Sequence, residues 1–117
     1  MKYVDGYVLP VPKKNLASYR RMASDAAKVW RKHGALEFRE RVGDDLKTIK
    51  VKSFLSVVKP KRGETLVSSW IVYKSRARRD SVNDKAMKDP RMARIMKMKN
   101  MPFDSKRMVL WRLQGHG

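Results

Sequence analysis

The chain has 117 residues, enough for one domain and too few for two ordinary ones. Its 42% apolar content supports a packed core, and the lack of cysteine excludes disulfides, thiolate metal sites and thiol nucleophiles. Lys and Arg number 29 against 11 Asp and Glu, so at +18 the chain will hold polyanions at low salt whatever its role.

The opening stretch, Met1 to Pro12, carries Asp5 and prolines where a secretory leader needs an apolar core. No apolar run approaches membrane-spanning length. The expectation is a soluble cytoplasmic protein with no membrane partner.

Residues 2–9 alternate, with Tyr3, Asp5, Tyr7 and Leu9 on one side and Val4, Gly6 and Val8 on the other. They predict a first strand, ended by Pro10 and Pro12. From about Lys13 to Lys32 the period becomes helical, with Leu16, Tyr19, Met22, Ala23, Ala26, Val29 and Trp30 on one face and Gly34 as the stop. Ala35 to Val42 alternates again, placing Leu36, Phe38, Glu40 and Val42 together, as in an edge-ward strand. Thr48 to Lys52 is expected to be a short strand, and Ser53 to cap one helical turn through Val58.

Thr65 to Tyr73 is the densest β-branched and aromatic run, free of Gly and Pro. Val67, Ile71 and Tyr73 share one face; Leu66, Trp70 and Val72 share the other. A strand apolar on both faces belongs in the middle of a covered sheet. Ser75 then caps a helix over 76–88 with Ala77, Val82, Ala86 and Met87 as its apolar positions. Asp89-Pro90 opens a short helix over 91–97, and Arg107 to Leu113 reads as the last strand.

Strand, helix, strand, irregular insert, strand, helix, strand is the split βαβ pattern. The chain is therefore expected to form one ferredoxin-like α+β domain over residues 1–117, a four-stranded antiparallel sheet with helices on one face. The first strand and Thr65–Tyr73 form its central pair. The other face of that pair is also apolar, and a second copy of the sheet is its simplest cover, which predicts a homodimer through the sheet face.

Three segments carry a recognisable signature: Tyr3-Val4-Asp5-Gly6; Ser69-Trp70-Ile71-Val72-Tyr73-Lys74-Ser75 with Arg79-Asp80 and Val82-Asn83; and Asp89-Pro90-Arg91-Met92 leading to Met101-Pro102-Phe103-Asp104-Ser105-Lys106-Arg107-Met108. With His33-Gly34-Ala35-Leu36-Glu37 between them, they resemble the domain-of-unknown-function family 1428, the YbaA-like proteins. The resemblance spans roughly residues 1–109. It implies a dimeric α/β-barrel of ferredoxin-like fold and no established activity. The tail after Val109 departs from the family, whose members continue with an aromatic residue and Gly-Gly-Phe. One encoding of Leu110 to Gly117, read one base later, gives Tyr-Gly-Gly-Phe-Lys-Val-Met. This motivates the hypothesis of a single-base frameshift, which the gene's codons at Leu113 and Gln114 decide.

Asp5, between Tyr3 and Tyr7, is the candidate acid–base residue, since flanking aromatics can desolvate a carboxyl and raise its pKa. The plainer reading pairs it with a basic side chain. Tyr7, Trp70, Tyr73, Phe103 and Arg107 are the candidate ligand-binding residues. Met101 to Asp104 with Lys106 and Arg107 can close a pocket and offer an anion-binding pair, or else form a turn in which Phe103 plugs the core. His33 and His116 have no partners at metal spacing; His33 caps the first helix. No nucleophile elbow, GxGxxG or P-loop is present, and no cofactor is expected.

The methionines at 87, 92, 96, 98, 101 and 108 are expected to fill the core. The basic run from Arg76 to Lys99 has no interleaved aromatics on which bases could stack, and reads as a solvated face. The function expected is small-molecule binding in a cleft between sheet and helices, as in a cofactor-free enzyme. The alternative is a module holding RNA or another polyanion on the basic helical face, through charge more than sequence.

Overall fold

Tyr3, Asp5, Tyr7, Leu9 and Val11 point to one side of the first strand, and three helices cover that side. A computed structural model describes residues 1–115, so His116 lies outside the described residues. The elements are β1 (Tyr3–Pro12), α1 (Leu16–Lys32), β2 (Glu37–Val42), α2 (Leu55–Val58), β3 (Glu64–Tyr73), α3 (Arg76–Lys88), α4 (Pro90–Met96) and β4 (Val109–Gln114). All strand pairs are antiparallel, in the order β2-β3-β1-β4. This is the ferredoxin-like α+β arrangement, with β1 and β3 central as their two-faced apolar patterns require.

Several local expectations change. Pro10 and Pro12 do not end β1; they pair with Leu66 and Glu64. Strand β4 accompanies β1 only as far as Val8, so beyond that point a proline without an N–H faces no second ladder. Thr48 to Lys52 forms no strand. It pairs with no strand of the sheet, and Ile49 and Val51 are exposed. Ser53 does hold the turn of α2, its hydroxyl accepting from the Leu55 N–H.

On α3, Ala77 and Met87 are exposed, while Arg79, Val82 and Ala86 are buried. The caps follow the sequence: the Ser75 hydroxyl accepts from Arg78 N–H, and the Asp89 carboxylate accepts from Arg91 N–H ahead of Pro90. Asp89 also takes the Arg91 guanidinium and pairs with His33 Nε2 at 2.8 Å, tying the end of α1 to the start of α4. These donors hold the Asp89 carboxyl well below the usual carboxylate range.

The helix-facing core has two halves. Tyr3, Ile71, Tyr73 and Val82 pack under α3, and Leu9, Val11, Tyr19, Ala23 and Val67 pack under α1. The opposite sheet face is covered at one end only. There Val8, Leu66 and Trp111 meet Val58, Leu55 and Leu46 of the insert between β2 and β3. Phe54 lies flat on Trp111, with ring centroids 5.9 Å apart. The remainder of that face presents Val4, Trp70 and Val72, with Arg41 over the Trp70 ring.

Gly6 pairs with Trp111, and the indole lies directly on its Cα, in the space a side chain would need. Gly6→Ala should therefore destabilise the fold by about 1–3 kcal/mol in urea denaturation, the range for overpacking. The loss should largely disappear in a Trp111→Ala background. An equal loss in both backgrounds would mean that the contact is not the constraint.

Candidate functional site

The strand register places one polar side chain from each of three strands in a row. Tyr7 on β1 pairs with Ser69 on β3, and Ser69 pairs with Glu40 on β2. Directly opposed residues on one sheet face have Cβ atoms about 5 Å apart. The row forms the floor of a cleft of about 640 Å³ whose other walls are almost wholly apolar. Met22, Ala26 and Trp30 of α1, Met92, Ile95 and Met96 of α4, and Met101, Phe103 and Met108 of the following loop surround it. Pocket-sized volume, apolar walls and a few convergent polar groups are what a small-molecule site requires.

Glu40 is the carboxylate in this lining. Tyr19 reaches down from α1 and donates its hydroxyl hydrogen to Glu40 Oε2 at 2.9 Å. Burial pushes the Glu40 carboxyl up to about 7, against the opposing pull of that hydrogen bond. Burial also raises Tyr7, to about 12, with the nearby Asp5 charge adding to the shift. Tyr19 is raised too, by burial first and then by Glu40. The site therefore holds one acid that gains or loses its proton near neutrality, beside two phenols that keep theirs.

The structure distributes the six sequence candidates over four places. Tyr7 and Phe103 line the cleft, and Phe103 packs edge-on against Tyr19 at 5.7 Å. Asp5 and Tyr73 share the helix-facing side of the sheet with Tyr7, under α3 and outside the cleft lining. Asp5 is 1% exposed and accepts from Arg79 Nη1 at 3.2 Å. Its carboxyl is raised by burial and lowered by the Arg79 charge. Arg79 also donates from Nε to Asp80 and lies over the Tyr3 ring. Tyr73 donates to Asn83 Oδ1, which accepts from Trp30 Nε1 as well.

Trp70 is on the opposite face of the sheet. Arg107 stands at the far end of the sheet, donating to Glu64 Oε2 at 2.7 Å and to the Lys59 carbonyl. The methionines depart from the core-filling expectation. Met92 is buried, but Met87, Met96 and Met101 line the cleft while exposed to solvent.

Glu40, Ser69 and Tyr19 are the functional candidates that sequence reasoning missed. The signal for Glu40 was present: it is a charge on the inward face of an alternating strand, between Phe38 and Val42. Among the described residues, no group of three His, Cys, Asp or Glu side chains is placed to hold a metal. No helix among them is long and apolar enough to cross a membrane.

A ferredoxin-like sheet with a cleft between one face and its helices defines the class: an α+β protein of the ferredoxin-like kind. Solved structures agree on the fold. Rv0793 from Mycobacterium tuberculosis superposes with a TM-score of 0.60 at 10% identity, over 100% of this chain and 97% of that one. A protein from an uncultured marine organism, described as a dimeric ferredoxin-like protein, gives 0.56 at 13% identity, over 96% and 92%. The profile of the family described as "Protein of unknown function (DUF1428)" matches residues 2–105, and the chain belongs to that family. It is 44% identical over 109 residues to the uncharacterized protein YbaA of Escherichia coli K12, covering 93% of this chain and 92% of that one, and equally similar to YbaA of Shigella flexneri. The family match stops short of β4, in the region where the tail departs.

Because Glu40 titrates higher in the folded chain than its ordinary value of 4.5, the folded state binds its proton more tightly. The associated stability is fully present below about 4.5 and is lost as pH rises through about 7. Glu40→Gln should remove this dependence and leave the variant more stable than the parent in mildly alkaline buffer, by on the order of 3 kcal/mol. Urea denaturation across this pH window measures it, and parallel pH profiles for the two proteins would show that Glu40 is solvated.

Proposed function

We propose that the cleft binds a small, mainly apolar molecule and that Glu40 exchanges a hydrogen-bonded proton with it. The observation that carries this reading is a lone carboxyl, desolvated by apolar walls and hydrogen-bonded by Tyr19, on the floor of a cavity large enough for a ligand. Tyr7 and Ser69, in register with Glu40, supply hydroxyl groups that orient a polar substituent. The half-exposed methionines give the walls an adaptable surface. A general acid or base works best with a pKa near the operating pH, and Glu40 meets that requirement.

The probe 1-naphthol tests this, having an apolar body and one hydroxyl. It should bind, bind more tightly as pH rises through about 7, where the ionised Glu40 accepts its hydrogen bond, and lose that pH dependence in Glu40→Gln. Ala26→Trp, which fills the cleft from α1, should abolish binding. Undiminished binding to Ala26→Trp would place the probe elsewhere and remove the reading.

The uncovered sheet face supports homodimerisation. Val4, Trp70 and Val72 lie on it beside the exposed Leu113 of β4, an apolar patch that pairing with a second copy would bury. The marine ferredoxin-like neighbour is described as dimeric, which fits this assembly. Sedimentation should give a dimer for the parent chain and a monomer for Trp70→Glu. A monomeric parent at micromolar concentration would exclude a stable sheet-face dimer.

A further inference from the structure

Strand β2 is an edge strand, paired with β3 on one side only. Just beyond its end, and in the same register, the Gly43 N–H donates to the Leu66 carbonyl. Backbone groups alternate in direction along an antiparallel strand, so those of Glu37, Arg39 and Arg41 turn to β3. Those of Phe38, Glu40 and Val42 turn outwards. The edge contacts agree: Arg31 Nη2 donates to the Phe38 carbonyl at 2.9 Å, and Arg41 Nη1 donates to the Glu40 carbonyl at 2.8 Å. Charged caps of this kind discourage unwanted edge pairing. A guanidinium only donates, so the outward N–H groups of the same residues are left to water or to another chain.

A groove runs beside that edge. It is a second cavity, of about 540 Å³, between β2 and α1. Its strand wall is Phe38, Glu40 and Val42, and its helix wall is shallow at Ala23, Ser24 and Ala27. A strand added antiparallel to β2 would set every second side chain opposite Phe38, Glu40 and Val42, on their face of the sheet and so into the groove. Backbone pairing with room for alternate side chains is how extended segments join a sheet edge. The rim is cationic. Arg31 stands beside Phe38, and Arg20 follows Tyr19, which bonds Glu40, so Arg20 marks the other end of the groove. The two arginines are about three helical turns apart, about 16 Å, which is about five residues of extended chain. The carboxyl group in the lining, Glu40, is already engaged by Tyr19.

We propose that β2 takes an extended segment of another protein as a fifth strand of the sheet, antiparallel, with apolar side chains at alternate positions in the groove and Asp or Glu at its two ends facing Arg20 and Arg31. A second copy of this chain is a poorer occupant, because its own Arg20 and Arg31 would arrive at the same rim and like charges oppose pairing. The groove shares a wall with the cleft but not its contents, so the inference stands whether or not the cleft holds a small molecule.

The fluorescein-labelled peptide Asp-Asp-Val-Thr-Val-Thr-Val-Asp-Asp tests this by fluorescence anisotropy, at about 0.15 M salt to suppress long-range attraction to the basic chain. N-methylating its three valines removes the N–H groups that would face β2 and should weaken binding more than about tenfold. N-methylating its two threonines, whose N–H groups would face solvent, should change it less than about threefold. Equal losses from the two would mean that no strand is added, and the proposal fails. Replacing the four Asp by Ser should cost about fivefold with the parent chain and under about twofold with Arg20→Gln and Arg31→Gln combined. Lys85→Gln with Lys88→Gln, on α3 outside the groove, should leave the fivefold preference intact. If the lysine changes reduce it as much as the arginine changes do, net charge is responsible and the acidic-partner assignment fails. Ser24→Trp, at an exposed helix position on the groove wall, should abolish binding while leaving the thermal midpoint unchanged. A peptide that binds Ser24→Trp undiminished, or fails to bind the parent, overturns the proposal. If sedimentation shows Ser24→Trp rather than Trp70→Glu splitting a dimer, the groove belongs to a second copy and the proposal is equally overturned.

Discussion

The buried ion pair between Asp5 and Arg79 determines how the helices sit on the sheet. It joins the start of β1 to the first turn of α3, and both side chains are almost wholly withdrawn from water. Such a pair adds little net stability, because desolvation offsets much of the attraction, but losing one partner costs about 3–5 kcal/mol. The pair therefore acts mainly as a constraint on register. Arg79 also covers the Tyr3 ring, and one turn further along α3 Asn83 accepts from both Tyr73 and Trp30. These contacts commit α3 to the Tyr3–Tyr73 end of the sheet. The Tyr7–Ser69–Glu40 row is left to be roofed by α1, by α4 and by the loop before β4, and the cleft lies there.

Asp5, buried, and Glu40, half-buried, show how environment sorts two carboxyl groups. Burial raises both. Asp5 meets a guanidinium within hydrogen-bonding distance, whereas Glu40 meets a neutral phenol, whose hydrogen bond only partly opposes the effect of burial. The Arg79 cation opposes the effect of burial on Asp5 and ties that carboxyl into the framework. Without one, Glu40 remains able to take up and release a proton. The carboxyl flanked by aromatics in the sequence is thus the one paired with an arginine, and the carboxyl without a cationic partner in the cleft stands on the edge strand.

The fold was legible because period decides it. Alternation in β1 and β2, the helical stripe of α1 and the caps at Ser75 and Asp89 are local signals, and the structure follows them. Thr48 to Lys52 misled because β propensity alone cannot show whether a segment will pair with the sheet. Pro10 and Pro12 misled because their tolerance depends on where a strand from the other end of the chain stops. Within each strand the faces were assigned correctly, and Trp70 was separated from Ile71 and Tyr73. Which face of β1 shares a side with which face of β3 is a property of register and helix packing, so Trp70 and Asp5 could be placed in one pocket on paper. Arg79 was hidden for a similar reason: its partner lies 74 residues away in the chain.

Glu40 is costly where it stands. A leucine or methionine there would extend the apolar wall that Phe38 and Val42 begin and would avoid the desolvation that raises the carboxyl's pKa. Its single described hydrogen-bond donor, Tyr19, is itself made harder to ionise by burial and by Glu40. Their hydrogen bond joins two groups that burial holds towards their uncharged forms. Buried polar groups without a strong structural partner are concentrated where a ligand completes their environment. The same cannot be said of Asp5, Asp89 or Glu64, each of which has an arginine to account for it. Among the inward-facing carboxyl groups of the described residues, Glu40 is the one held by a phenol and no cation, and the proposal that the cleft takes a ligand starts from that difference.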